Sequence, residues 1–141
     1  MTNSDLLRHW YDRIWIDEDL DAIEQVFTPD SATMMLLDFA LSPEDMRSIA
    51  LAILAQIRIS HVDFLREVEM GDWVWVGYTV NAHRRRDEKP ITFSGQVMAR
   101  FCDGKILESF NQADMIGLFE QLELLPEHTM ELCMSGEGIE H

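Results

Sequence analysis

The apolar side chains of this chain change their spacing once, and that change determines the fold class. Over most of residues 4–57 they recur at intervals of three and four, which places them on one face of an α-helix. From His61 to Ala113 they alternate with polar residues, as in a β-strand that is buried on one face. Helices followed by antiparallel strands predict an α+β domain in which a curved sheet wraps over the N-terminal helices. Such a sheet would leave an apolar cone with one open end.

Three N-terminal helices and one closing helix are predicted from capping signals. Asn3 or Ser4 can cap the first helix, since both side chains accept hydrogen bonds from free backbone amides. The second helix ends before Pro29, because the residue that precedes a proline is driven out of the helical region. Ser42 caps the third helix, with Pro43 at its first position. The predicted helices cover residues 4–16, 20–27, 43–57 and 115–122.

The remaining apolar runs predict strands that are joined by tight turns. Asp103-Gly104, between two apolar runs, is a strong hairpin signal because both residues tolerate positive φ. The second strand of this hairpin ends at Asp114, which places a carboxylate at the mouth of the cone. Gly95, in the middle of its strand, predicts a bulge or a bend. The predicted strands cover residues 32–37, 62–68, 73–83, 91–101 and 105–114.

The charge and the cysteines exclude several classes of function. The net charge of −15 at pH 7 opposes binding to nucleic acids or to anionic membranes, which both require a basic surface. Cys102 and Cys133 are too few for a disulfide framework, and no Cys or His spacing indicates a metal site. With no membrane-spanning apolar run and no leader, we expect a cytoplasmic protein. The basic cluster Arg84–Arg86 is interpreted as a solvated hairpin tip.

The chain is interpreted as one domain over residues 1–126, followed by a polar tail over residues 127–141. The domain is long enough to enclose a single hydrophobic core. The tail is expected to be loosely held. Trp73 and Trp75 share the outer face of their predicted strand, so we expect a second copy of the chain to cover them in a homodimer.

Several short motifs occur in a definite order between Leu6 and Pro126. They are Asp19-Leu20-Asp21-Ala22-Ile23, Phe27-x-Pro29-Asp30, Gly71-Asp72-x-Val74-x-Val76, Phe93-x-Gly95, Asp103-Gly104-Lys105-Ile106, Asn111-x-x-Asp114 and Gln121-Leu122-x-Leu124-Leu125-Pro126. In this order they resemble the SnoaL-like polyketide cyclase family, within the superfamily of nuclear transport factor two and ketosteroid isomerase. The resemblance implies a cystatin-like α+β roll with a cone-shaped antiparallel or mixed sheet.

The resemblance also implies a site. In the cyclases, an aspartate at the position of Asp114 looks like the acid/base for an intramolecular aldol closure, which needs a carboxylate beside an acidic C–H. Asp114 is therefore the expected catalytic residue, with Tyr11 and His83 as polar helpers. The His-Trp pair of the family is absent from residues 108–113, and His83 is its candidate replacement. The expected substrate-binding residues are Trp10, Trp15, Phe93, Phe110 and Asn111.

The ketosteroid isomerase arrangement matches this sequence only in part. Its tyrosine donor would fall at Tyr11, but its base aspartate would fall at Met35 and its neutral acid at Val97. Neither Met nor Val transfers a proton, so steroid isomerisation by that arrangement is not expected.

Two interpretations of the chain therefore stay open. In the first, it is a cofactor-independent cyclase or isomerase, without a metal, that moves a proton on a polyketide-like or other carbonyl substrate. In the second, it is a non-catalytic module that binds a small hydrophobic molecule or mediates dimerisation. Asp114 fits either, because it directly precedes the closing helix and its side chain could simply cap that helix.

Overall fold

The computed structural model describes residues 1–34 and 41–139, with the side chains of residues 29–34 left out. The helices are α1 (Asn3–Tyr11), a π-helical turn (Asp12–Ile16), α2 (Ala22–Val26), α3 (Pro43–Leu54), α4 (Met115–Gln121) and α5 (Thr129–Met134). The strands are β1 (Phe27–Met34), β2 (Ile57–Met70), β3 (Trp73–Arg84), β4 (Pro90–Cys102) and β5 (Lys105–Ala113). They form one mixed sheet in the order β1-β5-β4-β3-β2, in which β1 is parallel to β5 and the other pairs are antiparallel. The predicted α+β class is confirmed.

Capping boxes fix the starts of α1 and α3. The Ser42 hydroxyl accepts from the Asp45 amide, and the Asp45 carboxylate accepts from the Ser42 amide, both at 3.1 Å, as the predicted cap of α3 requires. Helix α1 has the same arrangement between Thr2 and Asp5. The prediction of Asn3 or Ser4 as its cap was wrong, because a Ser/Thr cap with an acid three residues later supports two free amides instead of one.

Several boundaries differ from those predicted. The predicted first helix changes to a π-helical turn at Asp12, where the Asp17 amide donates to the Asp12 carbonyl at 2.9 Å. Strand β1 begins at Phe27, earlier than predicted. Residues 35–37 of the predicted strand, which include Met35, lie outside the described residues. Ile57 belongs to β2 and not to α3, because it is fully buried and pairs with Arg84 across the sheet.

The two faces of the sheet differ in what covers them. On the inner face of β3, Val74, Val76 and Val80 are buried in one core with Leu7 of α1 and Leu118 of α4. On the outer face, Trp73 stacks on Phe110 with ring centroids 6.4 Å apart, while Phe110 stays 46% exposed. No helix in the described part of the chain is long and apolar enough to cross a membrane.

Gly95 makes room for a neighbouring side chain. The pairing of β4 continues without a register shift through Gly95 opposite Tyr78, so the predicted bulge is not found there. A Cβ atom at residue 95 would lie 2.5 Å from the Tyr78 hydroxyl oxygen and 2.8 Å from the Gln112 carbonyl oxygen. The absence of a side chain at Gly95 therefore allows Tyr78 to lie flat against β4.

Helix α4 is fastened to the sheet at both ends. At its start, the Asp114 amide donates to the Ser94 carbonyl at 2.8 Å. At its end, the Gln121 side chain exchanges two hydrogen bonds with the backbone of Thr92, at 2.8 and 2.9 Å. Arg84 adds a third attachment by donating to the Gln121 carbonyl at 3.1 Å.

The basic cluster at the β3–β4 turn is a solvated tip at Arg85 and Arg86, which are exposed, but not at Arg84, which is buried. The side chain of Arg84 is only 5% exposed. Its guanidinium donates to Asp87 at 2.8 Å and to Glu123 at 3.0 Å, so two carboxylates compensate its burial. The neighbouring Arg85 donates to the Leu54 carbonyl at 2.6 Å, at the end of α3. Both arginines therefore tie the turn to helices, Arg84 from a buried position and Arg85 from an exposed one.

Residues 127–141, predicted as a loosely held polar tail, contain the short helix α5 with Thr129 buried at its start. The domain boundary at residue 126 stays a prediction.

The contact at Gly95 predicts a stability difference between two glycines of neighbouring strands. We expect Gly95→Ala to lower the free energy of unfolding by about 1–3 kcal/mol, as overpacking of a core does. Gly77→Ala is the matched control, because its Cβ would meet its nearest neighbour, the Trp75 ring, at an ordinary 3.5 Å. Urea denaturation of both variants measures the difference. Equal stabilities would show that Tyr78 moves aside without cost.

Candidate functional site

Two small cavities lie between the sheet and the helices. The first, here called the α4 chamber, has a volume of about 50 Å³ and is lined by Ile53, Val80, Phe93, Ala113, Met115 and Leu118, among others. The second, the α2 chamber, has a volume of about 60 Å³ and is lined by Leu7, Trp10, Ile14, Met46, Ala50 and Ile106, among others. Tyr11, Trp15 and Asn111 line both chambers and so form a partition between them.

A chain of two hydrogen bonds runs through this partition. The Tyr78 hydroxyl donates to Asn111 Oδ1 at 2.7 Å, and Asn111 Nδ2 donates to the Tyr11 hydroxyl oxygen at 3.0 Å. Among the described side chains, those of residues 1–28 and 41–139, none accepts the Tyr11 hydroxyl hydrogen. Turning the Asn111 amide over would only exchange the two phenols, because one amide offers one oxygen and one NH₂ group to two hydroxyls. Either way, one hydroxyl hydrogen has no acceptor among the described side chains and can be donated to a ligand.

Both phenols are neutral over the range in which proteins work. Burial raises the pKa of Tyr11 well above its usual value near 10, and the neighbouring Tyr78 raises it further. Burial also raises the pKa of Tyr78, while the hydrogen bond with Asn111 acts in the opposite direction. A neutral phenol keeps its hydrogen, so the site offers a donor and not an anion.

Asp114 caps α4 and lies outside both chambers. Its Oδ1 accepts from the Gly117 amide at 2.9 Å, and the residue is exposed. Its chain neighbours, Ala113 and Met115, both line the α4 chamber. Asp114 is thus next in sequence to the chamber lining, and its carboxylate has the geometry of a helix cap.

His83 is also separate from the chambers. It is half-buried on the outer face of β3, between Arg58 of β2 and Pro90 of β4 in the pairing. Its Nδ1 atom is buried without a hydrogen-bond partner in the described part of the chain. The structure therefore does not bring His83 together with Tyr11.

Of the expected substrate-binding residues, Phe110 is on the wrong side of the sheet. Ile106 of β5 points inward, and strict alternation would place Phe110 inward as well. However, the pairing of β4 with β5 shifts at Arg100/Phe101, where Leu107 is the extra residue. A shift by one residue reverses the face of everything that follows. Asn111 therefore faces the chambers, together with Trp10, Trp15 and Phe93 as expected.

Tyr78 is the site residue that the sequence interpretation missed. It was not among the expected catalytic or substrate-binding residues. The signal was present, since a tyrosine on a face otherwise made of valines must find a partner for its hydroxyl when it is buried.

Nothing in the described residues forms a metal site. No group of three or more His, Cys, Asp or Glu side chains within residues 1–34 and 41–139 could hold a metal ion. The residues that line the two chambers are likewise uncharged.

Several solved structures share this fold. AclR from Streptomyces galilaeus, a candidate hydroxylase, matches with a TM-score of 0.73 and 21% identity over 88% of this chain and 97% of its own. A candidate polyketide cyclase from Acidithiobacillus ferrooxidans matches with a TM-score of 0.70 and 16% identity over 86% and 94%. A Catenulispora acidiphila protein of ketosteroid isomerase-like fold, solved with trimethylamine, has a TM-score of 0.64 and 16% identity over 78% and 85%.

At these identities the likeness shows the fold alone. No curated protein matches the chain in sequence. A family model does match, the one that describes the SnoaL-like domain, and it covers residues 7–109. This range contains the second half of α1, all of α2 and α3, and most of the sheet, including Tyr11 and Tyr78. The chain therefore belongs to the SnoaL-like domain family.

Proposed function

We propose that the chain binds a small, uncharged carbonyl compound between the sheet and the helices, with Tyr11 donating a hydrogen bond to the carbonyl oxygen. The observation that carries this proposal is the hydroxyl hydrogen of the half-buried Tyr11, which lies beside an apolar cavity without an acceptor in the described residues. A buried polar hydrogen that lacks a partner costs free energy, and a ligand oxygen would remove that cost.

The chambers select against charged ligands. Their linings contain uncharged residues, with polar atoms concentrated at the Tyr11–Asn111 partition. An ionised ligand would lose its hydration without gaining an ion pair, which is unfavourable in an apolar site. A ketone, an aldehyde or an ester loses much less hydration free energy, and it regains one hydrogen bond from Tyr11.

In the catalytic form of this proposal, the chain is a cofactor-independent cyclase or isomerase. A hydrogen bond from Tyr11 would stabilise the negative charge that develops on the carbonyl oxygen when a neighbouring C–H loses its proton. Asp114 would take that proton, since its neighbours Ala113 and Met115 line the α4 chamber. The resulting enol could then attack a second carbonyl carbon and close a ring, or regain the proton at another carbon. Polyketide cyclase candidates share this fold, which supports this chemistry.

A second candidate function is binding without turnover. It is favoured by the hydrogen bond of Asp114 to the Gly117 amide, which occupies the carboxylate as a helix cap. It is also favoured by the lack of a carboxylate or an imidazole among the described residues that line the chambers. The two candidates differ only in what Asp114 does.

Removal of the Tyr11 hydroxyl tests the shared part of both candidates. We expect Tyr11→Phe to weaken the binding of acetophenone by about five- to tenfold, the equivalent of one hydrogen bond. The control ligand is α-methylstyrene, which has the same shape with CH₂ in place of the carbonyl oxygen. Its affinity should not fall in the variant. Isothermal titration calorimetry measures both ligands, and equal effects on the two would contradict the proposal.

Replacement of Asp114 separates the catalytic candidate from the other. Asn caps a helix as well as Asp does, so Asp114→Asn should keep the stability and the affinity for acetophenone. If Asp114 is the base, the variant should lose at least about a hundredfold in the rate at which deuterium from D₂O enters the acetophenone methyl group. NMR follows this exchange. An unchanged rate would remove Asp114 from catalysis, and a wild-type rate equal to that of buffer would establish binding alone.

The raised pKa values predict an unusual titration, because the chain contains only 2 tyrosines and both lie in this site. We expect no tyrosinate absorbance at 295 nm from the folded protein near pH 10.5, whereas the protein in urea should titrate near pH 10. The unfolded chain then binds fewer protons than the folded one above pH 10, so stability should fall as the pH rises further. Half-ionisation in the folded state at pH 10 would show that the phenols are open to water.

A further inference from the structure

We propose that the two chambers hold the two apolar halves of one elongated, uncharged ligand, whose acceptor oxygen lies at the partition between them. This inference rests on the proposed function, since it uses Tyr11 as the donor. It adds the shape of the ligand: apolar arms on both sides of a carbonyl near the middle, instead of a carbonyl at one end.

The distribution of polar groups supports a central acceptor. Tyr11 and Asn111 are the polar residues common to both chambers. Apart from the indole N–H groups of Trp10 and Trp15, the only other polar groups among the described lining residues are those of Tyr78 in the α4 chamber and Ser109 in the α2 chamber. Tyr78 already donates to Asn111. Away from the partition, both linings are mainly hydrocarbon, which suits alkyl arms; the exception is the Trp10 indole N–H of the α2 chamber, which is buried without a partner in the described residues.

The volumes support the use of both chambers. They measure about 50 and 60 Å³, whereas an engineered apolar cavity that binds benzene has a volume of about 150 Å³. Neither chamber alone therefore takes a ring or a chain of more than a few carbon atoms. Even together they are smaller than the benzene-binding cavity, so a ligand of ordinary metabolite size needs both chambers and the additional room that a movement of the partition opens.

Trp15 is the residue of the partition whose side chain can rotate. Tyr11 and Asn111 are held by the hydrogen-bond chain. By contrast, no hydrogen bond within the described residues holds the Trp15 side chain, although it lines both chambers. Trp15 also lies in the π-helical turn Asp12–Ile16, and such turns are frequent at functional sites. A rotation of this side chain would join the two chambers without disturbing the donor.

The first experiment uses the wild-type protein and a series of symmetrical ketones. From diethyl to dipropyl to dibutyl ketone, each step adds one CH₂ group to each arm. We expect the affinity to rise about tenfold at each step, because two more methylene groups are buried. Heptyl methyl ketone, an isomer of dibutyl ketone, should bind at least about tenfold more weakly than dibutyl ketone, since one chamber cannot take its long arm. A plateau after diethyl ketone, or equal binding of the two isomers, would overturn the inference.

The second experiment blocks one chamber at a time. Ala50 lines only the α2 chamber and Ala113 only the α4 chamber, so Ala50→Leu and Ala113→Leu each add three carbon atoms to one of them. Circular dichroism first establishes that each variant is folded. Each substitution should then weaken the binding of dibutyl ketone by at least about tenfold. If either folded variant binds dibutyl ketone as the wild type does, the ligand does not use both chambers.

The two proposals fail in different ways. If Tyr11 is not the donor, dibutyl ketone and the hydrocarbon nonane bind with equal affinity, and Tyr11→Phe affects neither. If the chambers act together, Ala50→Leu and Ala113→Leu then still lower the affinity for both ligands. If the chambers do not act together, Tyr11→Phe still weakens acetophenone, while the length of the ketone has no effect.

Discussion

The hydrogen-bond chain Tyr78–Asn111–Tyr11 is the polar link on which the arrangement of the interior depends. It joins β3, β5 and α1 through an otherwise apolar core. Inside such a core a hydrogen bond is stronger than in water, and an unpaired polar group is correspondingly costly. The chain therefore fixes the relative positions of three elements. It also determines where a ligand oxygen can be accepted.

The local features of the fold could be predicted from the sequence, because short-range chemistry determines them. The Ser42 cap and the alternation of β3 follow from neighbouring residues alone. The burial of Arg84 does not, since its partner Glu123 is distant in the chain. The face of Phe110 depends on the register shift near Leu107, which the pairing with β4 creates. Such features arise from contacts between elements and have no signature in either segment alone.

The candidate site was predictable to a similar degree. Tyr11, Trp15 and Asn111 were named from the family resemblance, and the structure brings them together. Tyr78 was missed because its partner Asn111 is on another strand. Asp114 was foreseen both as an acid/base and as a cap, and the geometry is that of a cap. The predicted homodimer through Trp73 and Trp75 stays a prediction.

The attachments of α4 have a consequence for how a ligand would reach the interior. Many enzymes admit substrates by lifting a flap, which needs a segment that is free at one end or hinged at both. Helix α4 is bonded to Ser94 at its start and to Thr92 and Arg84 at its end, so it does not behave as a flap. If a rotation of Trp15 joins the two chambers as proposed, a ligand would enter on that side. The rate of uptake would be governed by how often that side opens, and not by the affinity of the site.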